Sequence, residues 1–528
     1  MKKSIDLIIK HGLIFDGRGG EPVVSDIAVK DDRILAVGTF SENDAETIIP
    51  AKGMAVAPGF IDSHAHSDFT LIADNRAEGK ICQGVTTEIN GNCGMSAAPL
   101  YGKAVERRED DLKELGISGR WNSVREYYSL IEKKGLALNT AMLIGHGNIR
   151  GSVVGYDNRE PSETELIRMK QLLDISIQEG GMGLSTGLIY PPGIYSCTDE
   201  LRALAEVLKP YGLIYTSHMR SEGAALLESI LEVISISRAA DIRAHISHIK
   251  TAGQQNWHKA DAAIALIMAA REEGIEISCD RYPYIASSTD LDSLLPSWAF
   301  EGGNEEELQR LRSEEMLVKM RRELLEQVNN REYWERVIIS SVVSPAKAWM
   351  EGMTIAQISE RLGCDEIEAV FTILLEEKLR VSAIFLSMSE DNLRKFLLLP
   401  FCAIGSDSSA RCFDGPTRIG KPHPRTFGTF PRFFGKYVRD DGLMSLTEAV
   451  HRTTMLPAAT FGLRGRGQIK EGFSADIVIF DPDTISDRAT FEDPFLKPSG
   501  IPYVLVNGSP AVWEGEPTLT FSGRMLTH

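Results

Sequence analysis

Hydrophobic and polar positions change period along the chain. Near the N-terminus, short apolar runs alternate with turn signals. Ile5 to Ile9 and Leu13 to Phe15 flank His11-Gly12, Asp16-Gly17 marks a turn, and Asp26 to Val29, Arg33 to Val37 and Thr47 to Ile49 continue the series. The C-terminal end reads the same way, through Gly467 to Ile469, Ala475 to Asp481, and Pro502 to Val506 before Asn507-Gly508. Each end is too short to bury a good core alone. The simplest arrangement is one small β domain made of residues 1–55 and 466–528, with residues 56–465 inserted between them.

In that middle stretch the pattern becomes strand followed by helix. A first strand leads through Val56-Ala57-Pro58-Gly59-Phe60-Ile61-Asp62 to His64 and His66. Further strands are predicted at Val85 to Asn92, Thr140 to Ile144, Gly181 to Leu188, Leu213 to Ser217, Ile242 to Ser247, Ile275 to Cys279 and Phe401 to Ser406. Glu163 to Glu179 and Ala224 to Arg238 are among the intervening stretches with helical spacing. Eight strands alternating with helices define an α/β chain of the (β/α)₈, TIM-like barrel class. The last interval is unusually long. Residues 300–395 carry amphipathic helical patterns (Glu305 to Asn329, Ile355 to Leu362, Ile367 to Glu377) and a strand-like Val337 to Val343, which predicts an inserted helical subdomain or lid at the barrel mouth.

Composition narrows the partners. The formal net charge of −17 argues against nucleic acid and anionic membrane surfaces, so an anionic substrate would need cations concentrated at its site. Seven cysteines without a C-x-x-C pair fit a reducing, cytoplasmic setting. No apolar run approaches a membrane span, and Asp6, Lys10 and His11 interrupt any signal-type segment after Lys2-Lys3. Oligomeric state is not legible.

Reacting groups of such barrels sit at the C-terminal ends of the strands. There this chain places His64 and His66 after strand one, Cys93 after two, His218 after five, His248 after six and Asp407 after eight. Singly each has an ordinary structural reading; their shared place on one rim points to a divalent metal site. In His218-Met219-Arg220 and His248-Ile249-Lys250 the i, i+2 spacing sets a cation on the same face as each histidine. Arg425, Tyr282 and Ser288 could complete an anion pocket. His245, of opposite parity to His248, should point outward, and His146 in Gly-His-Gly reads as a turn residue. His11, His258, His423, His451 and His528 lack such a context.

Pro58-Gly59-Phe60-Ile61-Asp62-x-His64-x-His66, followed in order by His218, His248 and Asp407, resembles the amidohydrolase superfamily. Gly91-Asn92-Cys93-Gly94, Gly187-x-x-Tyr190-Pro191-Pro192, Ser217-His218-Met219-Arg220, Ser247-His248-x-Lys250, Tyr282-Pro283-Tyr284, Gly405-Ser406-Asp407 and Pro422-His423-Pro424-Arg425-x-x-Gly428-Thr429 bring it closer to the N-acyl-D-amino-acid deacylases, or D-aminoacylases. These motifs span most of the chain. The resemblance implies a zinc barrel of amidohydrolase type with a small β-sandwich built from both termini. It implies a tight Zn²⁺ held by Cys93, His218 and His248, and a weaker second metal using His64 and His66 with Cys93 shared. Strand four, ending Leu184-Ser185-Thr186-Gly187-Leu188, has no lysine to bridge two metals, and the thiolate takes that place. It further implies hydrolysis of the amide of a small N-acyl-D-amino acid, with Asp407 as base and then acid. Lys250, Tyr282, Ser288 and Arg425 would hold the α-carboxylate, and Tyr190 would lie near the acyl group. Leu291 to Trp298, without Arg or Lys, is expected to face the substrate side chain and to favour apolar ones. A different amide substrate, a dipeptide or cyclic amide, and a catalytically dead barrel acting as an interaction protein remain open alternatives.

Overall fold

The computed structural model describes residues 4–328 and 331–528; the reading of Lys2-Lys3 and the Asn329 end of the first insert helix lie outside the described residues. Its architecture is decided at Pro58-Gly59. The Gly59 N–H donates to the Asp476 carbonyl at 2.8 Å, whereas the Phe60 N–H donates to the Gly84 carbonyl at 3.0 Å. Neighbouring residues thus belong to different sheets. Ala55–Pro58 runs antiparallel to Ile477–Phe480, and Phe60–Asp62 runs parallel to Val85–Asn90. The stretch expected as one strand is therefore two. The cause is local: a Cβ on Gly59 would lie 2.2 Å from the Thr86 side chain, so only glycine lets the chain pass between the layers.

The strands of both ends form one continuous nine-stranded sheet, except Met525–Leu526, which pairs with Thr140 and Ala141 of the barrel. Ala55–Pro58 lies in it, between Ile5–Ile14 and Ile477–Phe480. Leu7, Ile9, Ile27, Val29, Ile477, Ile479 and Leu505 build one core of this unit, and Ile5, Ile8, Ala28 and Ala45 build another.

The middle of the chain supplies eight parallel barrel strands: Phe60–Asp62, Val85–Asn90, Asn139–Met142 continued as Ile144–Gly145, Gly183–Gly187, Ile214–His218, Ala244–Ile246, Ile277–Arg281 and Cys402–Ile404. One interior layer consists of Ile61, Ile89, Ala141, Leu143, Met182 and Ile214, plugged by Ala458, Phe461 and Leu463. Helices cover the outside; Glu163–Gln178 begins on a capping box between Ser162 and Glu165. Closure from strand eight to strand one uses isolated bonds rather than a ladder. Ser406 N–H donates to Asp62 Oδ1 (2.8 Å), Asp407 N–H to the His64 carbonyl (2.8 Å), and Ala65 bridges Ser408.

The insert differs in extent from 300–395. Its three-stranded sheet pairs Ser287–Asp290 and Val337–Ser341 with Ser382–Phe385, so the unit starts and ends on paired strands. Helical periodicity reveals only what lies between those strands. The unit has its own core around Leu291, Leu308, Ile339, Ile358 and Leu374. The following helix, Glu390–Leu397, packs Leu393, Phe396 and Leu397 into the barrel's outer core instead. Among the described residues no helix is long and apolar enough to cross a membrane.

Gly59→Ala should lower stability by about 1–3 kcal/mol, because the buried Thr86 has nowhere to move. The check is the urea midpoint; an unchanged midpoint would show that the crossing tolerates a Cβ.

Candidate metal centre

Three residues at the barrel mouth have left-handed backbones: Cys93 (φ 53°), His248 (φ 36°) and Asp407 (φ 50°). Such conformations are unfavourable for these residue types and persist where surrounding structure enforces them. Around Cys93 the enforcement comes from glycines. Gly91 and Gly94 have φ of 72° and 75°, and a Cβ on them would fall 2.0 Å from the Leu143 carbonyl oxygen and 2.6 Å from Gly187 N. The Gly-Asn-Cys-Gly turn thereby bends the thiol into the barrel axis.

Six donors meet there. Cys93 Sγ lies 3.3 Å from His64 Nε2 and 3.4 Å from His248 Nε2. His66 Nε2 lies 3.2 Å from Asp407 Oδ1. Within two overlapping groups, His64, His66, Cys93 and Asp407, and Cys93, His218 and His248, all ligand atoms fall within 4.8 Å of one another. Cys93 belongs to both. His218 tests whether a cation fits, since both its ring nitrogens are buried and neither has a hydrogen-bond partner. Buried imidazoles normally find a partner. One thiolate among imidazoles is a donor set suited to zinc.

Charge is shared tightly among these donors: burial lowers His64, His66 and His248, but nearby carboxylates and Cys93 outweigh it, raising His64 and bringing His66 and His248 to about 9, so these three must release protons to bind a cation. Burial pushes the Cys93 thiol up, but the imidazoles of His64, His248 and His66 outweigh it and hold the group well below the ordinary thiol range. Burial also raises Asp407, and Arg425, His248 and the His66 hydrogen bond overcome it, keeping the carboxyl ionised. Burial is the main reason His218 titrates below its ordinary value, so it offers neutral nitrogens.

Two carboxylates absent from the sequence reading orient these histidines. Asp280 Oδ2 accepts from His64 Nδ1 (3.1 Å) and His245 Nε2 (2.7 Å), while Oδ1 accepts the His248 N–H (2.9 Å). His245 therefore points inward, contrary to its expected parity. Its strand ends at Ile246, and the left-handed turn at His248 breaks the alternation on which that count relied. Glu222 Oε1 lies 2.8 Å from His248 Nδ1 and is also ion-paired to Lys250. Asp280 had a visible signal, an acidic residue within Ile277–Arg281 near its C-terminal end. Glu222, in an irregular loop, had none. His146 is likewise more than a turn residue, its Nε2 lying 2.8 Å from Glu200 Oε1.

Cations gather around Tyr282. Its hydroxyl is buried without a hydrogen-bond partner, and its ring lies 4.1 Å from the Arg281 guanidinium, 4.6 Å from that of Arg425 and 5.8 Å from Lys250 Nζ. Burial raises the Tyr282 phenol, yet Lys250, Arg281 and Arg425 together bring it below the ordinary value. Arg425 Nη1 also lies 3.0 Å from Asp407 Oδ2, and its Nη2 reaches the Ser288 carbonyl at 3.4 Å. Arg220 does not join this group. It pairs with Glu232 at 2.9 Å and donates to the Ser196 carbonyl, because its strand ends at His218 and the chain turns outward. Tyr190 packs edge-on against His218 at 5.0 Å, with its hydroxyl 3.0 Å from Thr289 Oγ1.

A cavity opens beside Cys93, lined by Met95, Leu100, Arg108, Tyr156 and Tyr190 among others. Leu291 and Leu295 belong to the insert's own core, and the 291–298 segment does not line this cavity.

A parallel barrel whose rim gathers thiol, imidazole and carboxylate donors beside a cluster of cations is the frame of a metal-assisted hydrolase. The chain belongs to the amidohydrolase family, whose sequence model matches residues 47–174 and 348–512. It is 34% identical to N-acyl-D-glutamate deacylase from Alcaligenes xylosoxydans xylosoxydans, over 100% of this chain and 97% of that protein. It is also 34% identical to D-aminoacylase from the same organism, over 99% and 98% of the two chains. Among solved structures, N-acyl-D-glutamate deacylase from Bordetella bronchiseptica, complexed with zinc and a phosphonate mimic of the tetrahedral intermediate, superposes with a TM-score of 0.84 at 33% identity, covering 100% of both chains.

Cys93→Ala removes the one donor common to both groups. It should reduce zinc in the purified protein from about one per chain to a small fraction. Elemental analysis checks this, and full occupancy in the variant would reject the thiolate as a ligand.

Proposed function

We propose that this protein is a zinc-dependent hydrolase that splits N-acyl-D-amino acids into a carboxylate and a free D-amino acid. The observation that carries the reading is the placement of the cations around Tyr282 directly beside the donor cluster, with Arg425 touching both. Such a site suits a substrate with an amide and a free carboxylate a short distance apart. Full-length similarity to two deacylases of this kind supports it.

In this reading Cys93, His218 and His248 would hold one zinc tightly, and His64 and His66, sharing Cys93, would hold a second more weakly. Bound zinc would supply Lewis acidity toward the acyl carbonyl and the attacking water. The α-carboxylate is taken by Lys250, Tyr282 and Arg425, with Ser288 beside them. This fixes the amide relative to the donor cluster, and such positioning is worth several orders of magnitude in rate. Asp407, kept ionised by its neighbours, takes a proton from the water as the C–O bond forms. It returns that proton to the departing nitrogen as the C–N bond breaks. Tyr190, edge-on to His218, borders the acyl side.

Two fixed points, the scissile carbonyl and the carboxylate, leave the substituents on Cα only two arrangements, so the site must distinguish enantiomers. A panel of N-acetyl-D-amino acids, their L-enantiomers and the matching D-amino-acid amides, assayed for released amine, tests the reading. The D free acids should be hydrolysed with kcat/KM about 10²-fold or more above the other two sets. Equal rates on the L-enantiomers or on the amides would overturn it.

A further inference from the structure

Beneath the site lies a charged side chain that neither the motifs nor the proposed chemistry accounts for. Lys80, on the short helix Glu78–Ile81, is completely buried, and its ammonium makes three hydrogen bonds. It donates to Asp62 Oδ2 at 2.6 Å, Ser406 Oγ at 2.7 Å and the Ser408 carbonyl at 3.0 Å. Glu88 Oε2 stands 3.7 Å away. The partners of Lys80 are themselves tied to the rim. Asp62 Oδ1 accepts the backbone N–H groups of His64 (3.2 Å) and Ser406 (2.8 Å). Ser406 Oγ donates to Asp62 Oδ2 at 2.5 Å, and Ser408 Oγ donates to Ser406 Oγ at 2.9 Å. Glu88 reaches the same seam through Ser67, whose Oγ accepts the Ala410 N–H at 2.7 Å.

This cluster occupies the one junction of the barrel where strands eight and one form no ladder. Asp407 sits there in a left-handed conformation, and the residues on each side of it, Ser406 and Ser408, are the ones Lys80 binds. A backbone held in that region needs its flanks fixed, and strand pairing is reduced here to isolated bonds, the Asp407 N–H to the His64 carbonyl and the His66 N–H to the Ser408 carbonyl. Residues at a barrel seam could equally be tied by apolar packing; a buried cation with two of its protons directed at this turn and the third at Asp62 on strand one is a more specific device.

We propose that Lys80 is a positioning residue for the hydrolytic reaction, setting the Asp407 carboxylate against the donor cluster through Ser406, Ser408 and Asp62. It does not touch substrate. The inference rests on the reading of Asp407 as the proton-transfer group.

The test is a double-mutant cycle between Lys80 and Asp407. It reads kcat on an N-acetyl-D-amino acid, with zinc content, KM and thermal midpoint measured for each variant. Lys80→Met should lower kcat about ten-fold or more when Asp407 is present, and less than about two-fold in Asp407→Asn. Zinc content and KM should stay at their parental values. Ser406→Ala carries the same cycle in a chain that keeps the Lys80–Asp62 pair, and should show the same dependence on Asp407. It decides the question should Lys80→Met fail to fold. Equal losses in both backgrounds, or activity lost in proportion to zinc, would overturn the role of Lys80 and leave the base assignment standing. Near-normal kcat in Asp407→Asn alone would overturn both.

Discussion

The structure depends on holding six donor side chains at one buried point. Lone pairs of four imidazoles, a thiolate and a carboxylate crowd together at the mouth of the barrel, with both His218 nitrogens lacking any protein partner. Unpaired polar groups in such a place are costly. They stay because a further layer grips them from outside: Asp280 on His64 and His248, Glu222 on His248, and Lys80 with Asp62 under Asp407. A cation at the focus would satisfy what that layer leaves open. The left-handed backbones at Cys93, His248 and Asp407 belong to the same compromise, each at a typical cost of about 1–3 kcal/mol.

Charge is arranged locally rather than globally. A chain with a net charge of −17 nevertheless sets Lys250, Arg281 and Arg425 around one tyrosine. Lys250 and Arg425 are partly neutralised by Glu222 and Asp407, which avoids burying bare cations. In the proposed reading an incoming carboxylate would compete with groups already in place, and its recognition would be coupled to the environment of Asp407 through Arg425.

The sequence carried the barrel strands well, because their order shows as βα repetition and the ligand-type residues mark their ends. It erred where backbone geometry departs from regular alternation. Strand one was read through Pro58-Gly59 although the chain changes sheets there, and His245 was turned outward by counting parity across a left-handed residue. Arg220 was set on the site face by an i, i+2 rule that stops where its strand stops. Of the insert's three strands only Val337–Ser341 shows a local pattern; the short Ser287–Asp290 and Ser382–Phe385, far apart in sequence, do not, and Leu291 and Leu295 were consequently given a pocket wall instead of a core. Glu222, Asp280 and Lys80 act on other side chains rather than on substrate. Nothing in spacing alone singles out a buried Lys80, on a helix of only four residues, from any other lysine.

In the proposed reading the Cys93 thiolate, common to both donor groups, would anchor the metal. X-ray absorption at the zinc edge of the purified protein addresses it directly, since sulfur and nitrogen neighbours scatter differently. The account predicts a shell of nitrogen and oxygen neighbours with one sulfur. A shell made only of nitrogen and oxygen would contradict it.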